Sequence, residues 1–142
     1  MRISSRFTIA IHMLAYMALY EETKKVTSDV LAESITANPV VIRRLLSQLK
    51  KAGLITVARG SGGAALAKTP ETISFLDVYG AVEAVSEKGL FRFHEHPNEQ
   101  CPVGRTIHAA LDEKLARVER AMEQEMQAIT LASVIEDIKR NV

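Results

Sequence analysis

Eight apolar residues in one row in the last third of the chain limit the fold more than any other feature of the sequence. Val103, Ile107, Leu111, Leu115, Val118, Met122, Met126 and Ile129 follow one another at steps of 4, 4, 4, 3, 4, 4 and 3 residues. That spacing keeps one face of an α-helix apolar over about seven turns. With Pro102 opening it, the helix runs to about Ile129, roughly 28 residues and about 42 Å. A chain of 142 residues holds one compact body, and a body that small cannot cover so long a stripe. The same face of a second copy covers it by two-fold symmetry, with residues 5–20 packing between the two. Ile107, Leu111, Leu115, Val118, Met122 and Met126 are therefore the candidate homodimer interface.

The body has to come from the residues ahead of that helix, and their punctuation is clear. Ser4 or Ser5 caps a helix to about Tyr20, whose Ile9, Met13, Tyr16, Met17 and Tyr20 recur at helical spacing. Such a Met/Tyr stripe reads as core packing rather than as a ligand pocket. Thr27 or Ser28 caps a short helix to about Ile35, with Val30, Leu31 and Ser34 on one face. After the turn Thr36-Ala37-Asn38, Asn38 caps a third helix with Pro39 at its first position, and Gly53 stops it. Leu54–Ala58 and Ala64–Ala67 read as strands around a hairpin tip, Arg59-Gly60-Ser61-Gly62-Gly63. Ser74 and Asp77 make a capping pair for a helix from Phe75 to about Val85. Residues 87–100 lack periodicity, and Thr130 caps a final helix from Leu131 to about Arg140. The fold class is mainly α with a small β-wing. Residues 1–85 form a winged helix-turn-helix, 86–101 a loop, and 102–142 the dimerisation helix with a carboxy-terminal helix.

Charge separates the same two parts. Residues 1–68 hold ten Lys and Arg against four acids, a net +6, and residues 69–142 hold eight against thirteen, a net −5. The overall +1 hides a basic end suited to a polyanion. In a helix-turn-helix the second helix enters the major groove by its amino-terminal end, here Asn38, Val40, Val41, Arg43, Arg44 and Ser47. Arg43 and Arg44 lie about 100° apart around the helix, so one can meet a base edge while the other takes a phosphate. Lys50 meets backbone as the helix leaves the groove, and Ser28 does so at the start of the preceding helix. Arg59, Gly60 and Ser61 form a wing tip that can approach a narrow minor groove. Arg2, Ser4 and Arg6 surround a helix start ready for a phosphate. The expected partner is double-stranded DNA.

The run Asn38-Pro39-Val40-Val41-Ile42-Arg43-Arg44-Leu45-Leu46, with Leu54-Ile55 and Arg59-Gly60-Ser61-Gly62-Gly63-Ala64 behind it, resembles the Rrf-two (Rrf2) family of bacterial transcription regulators. The likeness extends to the opening Ser-Arg-Phe, the Ser74-Phe75-Leu76-Asp77-Val78-Tyr79 helix start and the long helix after Cys101-Pro102-Val103-Gly104. It implies a homodimer whose long helices cross, each protomer presenting one winged helix to half of a palindrome. Cluster-binding members use three cysteines in the loop before the long helix, whereas this chain has Cys101 alone. The resemblance therefore implies a branch with no iron–sulfur cofactor, since a cluster generally takes four ligands. His96-Pro97-Asn98 ahead of Cys101 is similar to the family's thiol-oxidation sensors. A second cysteine near Ile35-Thr36-Ala37, which some of those pair with the first, is missing. Cys101, at a helix start near Arg105, has the setting for a lowered pKa and a sulfenic acid or mixed disulfide; a structural thiol is the alternative.

Other function classes fare worse. Gly60-Ser61-Gly62-Gly63 lacks the Lys-Ser/Thr ending of a phosphate loop and precedes a strand. No Ser/His/Asp or Cys/His arrangement suits an enzyme, and no metal-ligand spacing is present. The longest apolar stretch, Phe7–Tyr20, is broken by Thr8 and His12, so no membrane span or signal segment is expected and the compartment is the cytoplasm. The runner-up is a winged-helix adaptor for an acidic protein partner, which would show no preference among duplexes.

Overall fold

The structure is a computed structural model and describes residues 4–60, 62–83, 90–91 and 93–141. Arg2 and Ser61 lie outside the described residues, as do parts of the expected 86–101 loop. Three helices open the chain: α1 (Ser5–Tyr20), α2 (Ser28–Ile35) and α3 (Pro39–Lys51). Each starts on a side chain that accepts an otherwise orphaned backbone N–H. Ser4 accepts from Arg6, Thr27 from Val30 and Asn38 from Val40. α3 ends at Gly53, whose φ of +79° is left-handed and open to a residue without a Cβ.

The core gathers one face of each helix. α1 contributes Ala10, Met13, Leu14 and Met17, and α3 contributes Ile42, Leu45 and Leu49. α2 differs from the expected Val30–Leu31–Ser34 face: Leu31 and Ala32 are buried, while Ser34 is exposed with its hydroxyl 3.0 Å from His12 Nε2. Burying a methyl group in place of a hydroxyl avoids the cost of desolvating a polar atom.

The hairpin is shorter than expected. β1 (Ile55–Val57) and β2 (Ala64–Leu66) pair antiparallel, Ile55 opposite Leu66 and Val57 opposite Ala64. The outer edge of β2 is not left bare. Its Ala64 N–H donates to the Val26 carbonyl at 2.8 Å, and its Leu66 N–H donates to the Glu21 carboxylate at 2.8 Å. The turn between α1 and α2 thus serves as a third strand for the wing.

After a short 3₁₀ turn, Pro70–Thr72, α4 (Phe75–Val82) begins on a reciprocal Ser74–Asp77 capping box. It ends at Val82 rather than about Val85, because Glu83 is already extended. Phe7 of α1 meets the rings of Phe75 and Tyr79 edge-on, at 5.5 and 6.4 Å. α5 (Pro102–Ala128) is the long helix, 27 residues or about 40 Å. α6 (Leu131–Arg140), capped by Thr130, returns to the body and places Leu131 and Ile135 in the core. An isolated β-bridge between Ser74 and Thr130 fixes that return: Phe75 N–H donates to the Ile129 carbonyl and Leu131 N–H to the Ile73 carbonyl. The carboxy-terminal helix therefore shares the core of residues 5–82.

Within the chain α5 packs on α4. Of its stripe only Met126 is buried; Ile107, Leu111, Leu115 and Met122 are half-buried, and Val118 and Val103 are 51 and 67% exposed.

Candidate nucleic-acid interface

The buried face of α3 (Ile42, Leu45, Leu49) dictates what the opposite face presents. Residues 43, 47 and 50 fall at helical steps of four and three, so their side chains line up on one side. Arg43, Ser47 and Lys50 line an open groove of about 390 Å³ together with Ser28 of α2 and Gly60 of the wing. Three separate elements, the third helix, the start of the second and the hairpin tip, thus converge on one basic concavity. Lys50 and Lys51 also sit in the last turn of α3, where cations complement the helix dipole.

Other expected residues fall around that groove. Val40 and Val41 are exposed apolar side chains at the leading end of α3, beside the exposed Asn38 cap. Arg44 is exposed but turns away from the groove lining, as its angular offset from Arg43 requires. Arg59 is exposed next to Gly60, whose φ is +71° with open space around it. Thr27, Leu46, Val57 and Ala58 also line the groove; in the sequence they carry only capping, helix-face or strand signals.

Ser4 and Arg6 are engaged within the chain rather than free at a helix start. The Ser4 hydroxyl donates to Glu83 at 2.8 Å, Arg6 Nε donates to Ser4 Oγ at 3.1 Å, and the Arg6 guanidinium lies 3.7 Å from the Glu83 carboxylate. A phosphate reaching this point meets a carboxylate already in place.

Cys101 is exposed at the cap position of α5. The backbone N–H groups of Gly104 and Val103 draw its thiol below the ordinary range. The cause is the helix start expected from the sequence, through its amides rather than through Arg105. His108 Nε2 lies 3.0 Å from the His94 carbonyl, and the two rings meet edge-on at 5.2 Å. Among the described residues no three His, Cys, Asp or Glu side chains converge on a metal-sized space. With one cysteine in the whole sequence, the donors do not fit an iron–sulfur cluster.

Comparison with known proteins agrees with this arrangement. A family profile described as "Rrf2: Iron-dependent Transcriptional regulator" matches residues 3–137. YwnA of Bacillus subtilis (strain 168), a proposed HTH-type transcriptional regulator, is 46% identical over 133 residues, covering 94% of this chain and 96% of its own. A crystal structure of a proposed DNA-binding protein superposes with a TM-score of 0.73 at 40% identity, covering 92% of this chain and 99% of that one. A proposed transcriptional regulator from Lactobacillus plantarum gives a TM-score of 0.79 at 26% identity, covering 96 and 91%.

Proposed function

Because the chain belongs to the Rrf2 family of transcriptional regulators, which are not enzymes, we propose that it is a sequence-specific repressor that binds a palindromic operator as a homodimer. The observation that carries this reading is the groove in which Arg43, Ser47 and Lys50 meet Ser28 and Gly60. A duplex seated there gives its major groove to the leading end of α3, its phosphates to Ser28 and Lys50, and its minor groove to Arg59. The incompletely covered stripe of α5, with Val103 and Val118 exposed, supports two-fold pairing, which matches a palindrome half-site by half-site. The compartment is the cytoplasm, and no described helix is long and apolar enough to cross a membrane.

Cys101 supplies the signal in this reading, and no iron–sulfur cluster takes part. Its thiolate attacks a peroxide oxygen, giving a sulfenic acid and releasing the other oxygen as water after proton uptake. The test recovers the bound duplex by selection from fragmented genomic DNA and compares variants on it at matched salt. Arg43→Ala and Arg59→Ala are each expected to lose about 10- to 100-fold of operator preference, the size of a lost arginine–base contact. If both retain full preference, the DNA-reading assignment fails. Peroxide is expected to weaken wild type and leave Cys101→Ser unaffected; an equal response of the two removes the thiol from the signal.

A further inference from the structure

The wing has a second groove on its other side. It is lined by Lys25 and Val26 of the α1–α2 turn and by Val57, Ala58, Gly63 and Ala64 of the hairpin, with a volume of about 490 Å³. All of these except Lys25 also line the groove against α3. The hairpin thus borders two recesses, a basic one against α3 and a second of mixed charge, with two lysines and two acids, against the α1–α2 turn.

The turn is held tight against the hairpin near its tip. Gly63 has φ +81°, and a Cβ there would lie 2.8 Å from Val26 N and 3.3 Å from the Lys25 carbonyl carbon. The backbone at Lys25 therefore touches the hairpin three residues from Gly60. The two neighbouring lysines differ in what they do. The Lys24 ammonium lies over the Tyr16 and Tyr20 rings at 5.1 and 4.7 Å, a cation–π arrangement that occupies it. Lys25 is exposed and, among the described residues, enters no ion pair. Of the two acids in the same groove, Glu21 is committed to the Leu66 amide, which leaves Glu22.

A hairpin tip entering the minor groove, about 6 Å wide in B-form DNA, has a sugar–phosphate wall on each side. The α3-side recess meets one wall through Ser28 and Lys50. We infer that Lys25 is a second phosphate anchor, taking the opposite wall from the far side of the wing. The inference rests on the DNA-binding reading above and adds to it a contact that fixes the wing's depth and tilt without reading sequence.

The test measures binding of the full-length chain to the selected operator duplex, and to a scrambled duplex of equal length, across a salt series. Lys25→Gln is expected to lower the slope of log affinity against log salt by about 0.9 per protomer and to weaken binding at 0.1 M salt by roughly five- to tenfold for each protomer engaged. Both duplexes lose the same factor. Lys25→Arg restores the slope, and Lys24→Gln, an equal change of net charge, leaves it at the wild-type value. An unchanged slope for Lys25→Gln, or equal losses for Lys24→Gln and Lys25→Gln, overturns the anchor while the operator preference of wild type keeps the regulator reading intact. A wild-type chain with no duplex preference overturns both.

Discussion

Thr36 occupies the turn between α2 and α3 at φ +60°, a left-handed conformation that costs an ordinary L-residue about 1–2 kcal/mol and is an outlier for a β-branched one. Helix-turn-helix corners often use glycine. Asparagine tolerates the same conformation without glycine's entropy loss. Thr36→Asn is therefore expected to stabilise the fold by about 0.5–1 kcal/mol, read as a higher urea midpoint with unchanged slope; a lower midpoint contradicts the strain. At this scale the sequence is legible wherever the cause is local. Ser4, Asn38, Ser74 and Thr130 cap the helices they were expected to cap, because capping involves residues only two or three apart. The role of Arg6 is different. Its charge is visible in the sequence, but its pairing with Glu83 depends on α1 and α4 meeting in space, which no local pattern encodes.

Among the elements, the wing depends most on one close approach. Gly63 combines a left-handed φ with backbone contact against Val26, so Gly63→Ala suffers both conformational strain and a clash. The expected cost is about 1–3 kcal/mol, measured as a lower thermal midpoint, with amide exchange at Ala64 accelerated as its bond to Val26 opens. Unchanged protection at Ala64 argues against the turn acting as a third strand. Helix boundaries were readable to within a residue or two where Pro, Gly or a cap marks them, as in α3 and α6. The hairpin and α4 came out shorter than expected because apolar pattern extends past the last paired or helical residue. The convergence of Arg43, Ser47 and Lys50 follows from helical spacing alone, whereas the Lys25 recess depends on packing between non-consecutive segments.

On the scale of the whole molecule, the +6 part reads as the DNA-facing end and the −5 part, which supplies α4, α5 and α6, as the side repelled by phosphates. The stripe on α5 leaves Val118 half exposed and Met122 half-buried. Val118→Glu with Met122→Glu is expected to give a monomer in sedimentation and to weaken operator binding by about 100-fold or more, as bivalent attachment is lost. A persistent dimer would place the interface elsewhere. The bridge from Ser74 to Thr130 and the burial of Leu131 and Ile135 also set an order of events during synthesis. The face of α1 that packs on α6 is made first and its cover almost last. At about 5–20 residues per second, roughly 3–13 s separate the completed wing from α6. A nascent chain carries that apolar face uncovered for the whole interval, and a message cut within α5 leaves it uncovered for good. The core beneath the DNA-reading end is thus closed only by the last helix to be made.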